Sequence, residues 1–149
     1  MRVVVQRCSR AEVRVDGTIC GQINTGFVLL VGISTTDTRT EADWIAKKIA
    51  QLRVFNDAEG KMNLSLNDVG GSILSISQFT LYGDCRKGNR PSFINAARPH
   101  DAASLYNYFN TTLQEDYHLH VETGIFGADM KVDFINDGPV TILLDTEKM

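Results

Sequence analysis

At 149 residues, 43% of them hydrophobic and 22% charged, the chain has the makeup of a folded globular protein, long enough to bury a core without disulfides or a structural metal. A net charge of −3 argues against broad, non-specific affinity for nucleic acid, which depends on a basic surface that neutralises phosphates. The cysteines, Cys8, Cys20 and Cys85, are odd in number with no Cys-x-x-Cys pair, as expected of reduced thiols in the cytoplasm, and no apolar run reaches the length of a signal-peptide core or a membrane span. Arg2 to Val15 reads as a strand in which Ala11, Val13 and Val15 alternate with Glu12 and Arg14, and Asp16-Gly17 is a two-residue hairpin signal leading to a return strand over Thr18 to Asn24. Phe27 to Ile33 is apolar at every other position and between, which predicts a central strand covered on both faces.

Thr40 and Asp43 stand in capping-box spacing ahead of Ile45, Ile49 and Leu52, predicting a helix from about Glu41 to Arg53 with Trp44 at the margin of its apolar stripe. Met62 to Leu66 alternates as a short strand, and Ser72 to Ile76, fenced by Gly70-Gly71, predicts another. Beyond it Ser77 to Asp84 turns polar and Cys85 to Pro91 basic, Ser92 to Ala97 reads as extended, and Ala102 to Gln114 is a second amphipathic helix capped by Asp101. Leu119 to Thr123 predicts a strand that sets His118 and His120 on one face, Gly124 to Gly127 a loop, and Ala128 to Phe134 a half-exposed strand. Asn136 to Pro139 predicts a turn, and Val140 to Asp145 a closing strand. The expectation is one α/β domain over residues 1–149, a mixed layered β/β/α unit of eight to nine strands and two covering helices, with antiparallel hairpins at both ends.

The chemistry concentrates in Ser77-Gln78-Phe79-Thr80, where hydroxyls and an amide sit at the end of an apolar strand. Two readings stay open on the residues alone: these groups orient an ester or amide substrate, or they satisfy a strand end. A nucleophilic Thr80 needs a base within hydrogen-bond reach, and the motif holds none. Phosphate loops, nucleophile elbows and His-Glu-x-x-His are absent. Arg86, Lys87, Arg90 and Arg98 form a basic cluster within 13 residues, read either as a solvated loop or as a phosphate contact. Gly138-Pro139 is either a trans proline opening a strand or a pair that exposes its carbonyls.

Taken together, Ser77-Gln78-Phe79-Thr80, Asn136-x-Gly138-Pro139-Val140-Thr141, the Met-Arg-Val-Val-Val-Gln-Arg opening and Lys61-Met62-Asn63-Leu64-Ser65 resemble the D-aminoacyl-tRNA deacylases over nearly the whole chain. The resemblance implies a homodimeric hydrolase with active sites at the subunit interface. Its substrate is the ester joining a D-amino acid to the 3′ end of tRNA; no metal or cofactor is required, and neither DNA nor a membrane is a partner. It implies a cis Gly138-Pro139 pair that reaches into the partner's site, held by Arg7, as a backbone wall against L-residues that lets glycine through, including glycine mischarged on tRNA(Ala). It further implies backbone amides at Gln78 and Phe79 holding the oxyanion while the RNA 2′-hydroxyl assists water, with Arg86, Lys87 and Arg90 guiding tRNA phosphates. Two alternatives remain: a non-catalytic dimeric module that binds D-amino acids or nucleotides, and a general esterase using Thr80 or Ser77.

Overall fold

A computed structural model describes all residues, Met1–Met149. The chain opens with β1 (Arg2–Val15), whose buried alternation runs over Val3, Val5 and Arg7, breaks at the exposed Ser9 and Arg10, and resumes at Ala11 and Val13. Asp16 and Gly17, at φ 49° and 77°, turn it back into β2 (Thr18–Ile23), as the two-residue signal predicts. β3 (Gly26–Gly32) pairs antiparallel with the first half of β1, and β2 with its second half.

From β3 the chain crosses through α1 (Arg39–Gln51), a short β4–β5 ribbon (Phe55–Asn56 and Met62–Leu64) and a single-turn α2 (Leu66–Val69) into β6 (Ser72–Ser77), parallel to β3. A second crossover, through α3 (Pro99–Glu115), reaches β7 (Val121–Thr123), parallel to β6. Two crossovers taken in one direction across the sheet lay both helices on one face, where they pack together. The sheet order is β2-β1-β3-β6-β7, with β8 (Lys131–Asp145) on the free side of β1. β2 folds over against β6 and β7, so the sheet curls toward a barrel.

Two cores follow from the strand period. Val3, Val5, Phe27, Leu29 and Val31 face Ile45, Ile49, Phe109 and Leu113 of the helices. Cys8, Ala11, Val13, Val28, Leu74 and Ile76 fill the curl on the opposite side. Phe27 to Val31 therefore serves both, as its unbroken apolar run requires.

The eight strands and the layered α/β plan agree with the sequence, and several local expectations do not. The cap of α1 is Thr38 with Glu41, two residues earlier than Thr40 with Asp43: the Glu41 carboxylate accepts from the Thr38 amide at 2.7 Å, and Leu52 falls outside as the C-cap. The strand expected over Met62 to Leu66 stops at Leu64, because Ser65 and Asp68 form a second capping box and start α2, a third helix. α3 starts at Pro99, whose missing N–H costs nothing at the first helical position, so Asp101 lies in the first turn instead of capping. Ser92 to Ala97 makes only two isolated bridges, Asp84 with Ser92 and Ser34 with Ala96. His118, at φ 56°, precedes β7, and His120 lies outside it too, so the two share no strand face.

The largest correction is at the C-terminal end. Ala128 to Phe134 and Val140 to Asp145 do not pair with each other: from Lys131 onward both belong to β8, and both pair with β1. Gln6 lies opposite Thr141 and Cys8 opposite Asn136, so two steps along β1 match five along β8, and Asp137 to Val140 bulge from the ladder. Turn-forming residues here make a bulge, because β1 is long enough to pair with the strand on both sides of it.

Candidate functional site

β3 and β6 end side by side, and the space beyond their carboxyl ends is where parallel sheets commonly place ligands. A pocket of 660 Å³ opens there. Ser77, Gln78 and Phe79 form one wall, Ala97, Arg98 and Ala102 at the start of α3 another, and Phe126 and Met130 a third.

After Ser77 the chain does not continue as strand. The Gln78 amide still donates to the Val31 carbonyl at 2.7 Å, and Phe79–Tyr82 then winds into a 3-10 turn closed by Leu81 to Gln78 and Gly83 to Thr80 bonds. The first amides of such a turn have no carbonyl behind them. Those of Phe79 and Thr80 have no acceptor in the chain. This corrects the expected amide pair: the Gln78 N–H is engaged by the sheet, and the two free donors are Phe79 and Thr80. The Gln78 side-chain amide donates to the Thr80 hydroxyl. Phe79 is 56% exposed, with its ring edge-on to Phe93 at 5.0 Å. No histidine or carboxylate hydrogen-bonds to Thr80.

Two supports of this turn escaped sequence reasoning. Arg2 donates to the Leu81 carbonyl at 3.2 Å, pairs with Asp145 at 3.1 Å and lies over the Tyr82 ring, tying the turn to both β1 and β8. Tyr106 on α3 donates its hydroxyl to the Ser75 carbonyl at 2.8 Å, anchoring β6 from the helical side, while its ring meets Phe126 at the pocket. Burial pushes the Tyr106 hydroxyl's pKa up, keeping it a donor. The only hint in the sequence was Ile125-Phe126, an apolar pair inside a glycine-bounded loop.

Arg7 and Gly138-Pro139 lie together. Arg7 is buried, donating from Nε to the Asp137 carbonyl at 3.0 Å and from Nη1 to the Val54 carbonyl at 2.7 Å. The Gly138-Pro139 peptide is cis, and Gly138 has φ 126°. A Cβ at Gly138 would lie 2.9 Å from Arg7 Nη2 and from Val140 Cγ2, so only glycine fits. Gly138, Pro139 and Arg7 do not line the pocket of their own chain.

The basic cluster divides. Arg86 grips the Asp84 carboxylate through Nε at 2.9 Å and Nη2 at 2.6 Å, which holds that carboxyl's pKa down at about 2. Lys87, Arg90 and Arg98 make no ion pair. Arg98 lines the pocket, whereas Arg86, Lys87 and Arg90 sit on the exposed loop beyond Gly83. No helix is long and apolar enough to cross a membrane.

The family model described as D-Tyr-tRNA(Tyr) deacylase matches residues 4–145. The D-aminoacyl-tRNA deacylase of Thermus aquaticus is 56% identical over 148 residues, 99% of this chain and 97% of that protein. That of Brevibacillus brevis is 59% identical over 146 residues, 98% of this chain and all of the relative. Among solved structures, one described as c-Myc DNA Unwinding Element Binding Protein is 42% identical with a TM-score of 0.93, over 98% of this chain and 99% of that one. A probable eukaryotic D-amino acid tRNA deacylase, 17% identical, shares the fold at a TM-score of 0.82. With the strand-end turn, the Arg7-held bulge and a match over nearly its full length, the chain belongs to the D-aminoacyl-tRNA deacylase family of enzymes.

Proposed function

We propose that the protein removes D-amino acids from tRNA by hydrolysing their 3′ ester, as a cytoplasmic homodimer whose two pockets are each completed by the partner's Gly138-Pro139 bulge. The observation that carries this reading is the pair of free, consecutive amides at Phe79 and Thr80, at the end of an apolar pocket that Phe79 lines, with no base hydrogen-bonded to Thr80. Two consecutive N–H groups without acceptors suit the oxygen of an ester carbonyl as it becomes an oxyanion. They need no protein nucleophile if the ribose 2′-hydroxyl beside the ester helps activate water. The terminal adenine of tRNA fits the apolar part of the pocket, against Phe126 and Met130, where base stacking on an aromatic ring is sequence-tolerant and favourable.

Chirality is then read by exclusion. A bulge fixed to Arg7 presents backbone where an L-side chain would project, while a D-side chain points outward and hydrogen at both positions is tolerated, so glycine on tRNA(Ala) is also removed. The support for a cross-subunit arrangement is that this bulge is rigidly held yet lies outside its own chain's pocket. Incubation with D-tyrosyl-tRNA and L-tyrosyl-tRNA, following ester loss, tests the reading: rapid loss of the D-ester alone is expected. Loss of neither would return the protein to a binding module, and equal cleavage of simple esters lacking RNA would make it a general esterase.

A further inference from the structure

The pocket at the strand ends is not isolated. A second cavity, of 560 Å³, meets it at Ile33, Ala97 and Arg98, which line both. The character changes at that junction: the first cavity is dominated by apolar side chains, and the second runs between the start of α1 and α3 past Ser34, Thr35, Thr38 and Tyr108. Two arginines stand along it. Arg98 is exposed at the junction with no carboxylate within ion-pair distance. Arg39 lies over the Tyr108 ring at 4.5 Å and is likewise free of any carboxylate, while Tyr108 is held by its hydroxyl's bond to Asp43 at 2.7 Å. The acidic groups of the cavity are Asp37, already engaged by the Met1 amine at 2.6 Å, and Asp101.

We infer that this second cavity is the channel for the single-stranded end of the RNA: the phosphate on the 5′ side of the terminal adenosine binds Arg98, and the preceding nucleotide runs over Arg39 and Tyr108. The inference rests on the terminal adenosine occupying the first pocket. If its base and ester fill that pocket, its 5′ oxygen must leave through an opening, and the junction at Arg98 is a polar exit carrying an uncompensated cation. A guanidinium fork matches a phosphate bidentately, and a guanidinium stacked on a tyrosine ring is a platform for a base as well as a charge. The Thr35 hydroxyl adds a donor for a further phosphate or sugar contact, which carries no sequence preference, whereas the Thr38 hydroxyl is already given to Glu41. Discrimination among tRNAs is therefore not exercised here, consistent with an end shared by all of them.

The test compares two minimal substrates, 3′-O-D-tyrosyl-adenosine and the same compound bearing a 5′-phosphate, on the unaltered protein and on Arg98→Ala. The expected result is that the phosphate raises kcat/KM about tenfold or more in the unaltered protein, the scale of one charge-assisted bond, and that this factor falls toward one in the variant. With full tRNA, Arg98→Ala should also flatten the salt dependence of log Kd by about 0.7, the share of one single-strand phosphate. A phosphate factor near one in the unaltered protein overturns the inference, as does a factor that survives in Arg98→Ala. Failure of the underlying pocket reading shows differently, as turnover indifferent to removal of the terminal base.

Discussion

Arg7, on the first strand, donates through Nε to the carbonyl of Asp137, on the last, at 3.0 Å, and its Nη1 reaches the Val54 carbonyl at 2.7 Å. One buried guanidinium thus ties the bulge that carries Gly138 and Pro139 to the segment that follows α1. Replacing Arg7 by Lys keeps the charge and loses the fork. It should cost about 1–3 kcal/mol in urea unfolding, because buried carbonyls lose their donors. If the bulge enforces chirality, cleavage of L-tyrosyl-tRNA should appear in the same variant. A stable variant with unchanged selectivity would separate Arg7 from that role.

Gly138→Ala places a methyl group 2.9 Å from Arg7 Nη2 at a φ of 126°. Expected are a loss of about 1–3 kcal/mol for the disfavoured backbone and a fall in kcat/KM on D-tyrosyl-tRNA on the order of 10²-fold, since about 1 Å of misplacement has that effect. Thermal melting and single-turnover assays measure the two separately. Full activity would mean that the bulge can move without consequence.

Thr80→Ala should retain activity within about tenfold, the scale of one hydrogen bond lost to the Gln78 side chain, because the free amides of Phe79 and Thr80 remain. Replacing the substrate's 2′-hydroxyl by hydrogen should stop turnover. Abolished activity in a folded Thr80→Ala protein that still binds tRNA would favour a protein nucleophile, and normal cleavage of the deoxy substrate would remove the RNA from the mechanism.

For the exposed basic loop, the ion pair ranks its residues. Arg86 is already engaged by Asp84, whereas Lys87 and Arg90 have no carboxylate partner. Lys87→Ala with Arg90→Ala should lower the slope of log Kd for tRNA against log salt by about 0.7 to 0.9 per contact, and Arg86→Ala by less. Unchanged affinity and slope in all three would leave the loop as solvated surface.

Cys8 supplies a stability prediction at high pH. Burial pushes its thiol from the usual 9.0 to about 11, so the folded state holds a proton that the unfolded chain releases. The contribution is therefore complete below pH 9 and lost as pH rises toward 11, amounting to roughly 2–3 kcal/mol for a gap of that size. Urea titrations at pH 8 and pH 11 should show this loss reduced in Cys8→Ala. An identical fall in the variant would assign the pH dependence to other groups.

What the sequence by itself determined is what depends on side-chain alternation and on motif identity. The period-2 run of β1, the doubly apolar Phe27 to Val31 and the Asp16-Gly17 hairpin are written locally, because burial and turn geometry act within a few residues. Ser77 to Thr80 and Gly138-Pro139 were recognisable in the same way, as residue types in a fixed order. Tertiary structure alone decided how those pieces are used. Asn136 to Pro139 has turn chemistry, yet whether a chain with turn residues reverses or bulges depends on what lies beside it, and here β1 pairs with β8 on both sides. Gln78 and Phe79 look equivalent in sequence, but only Gln78 lies opposite a carbonyl of β3, so its amide is used and those of Phe79 and Thr80 are free. Arg98 sat among four basic residues without distinction until α3 carried it to the junction of two cavities, and no local pattern encodes which cation will lack a carboxylate.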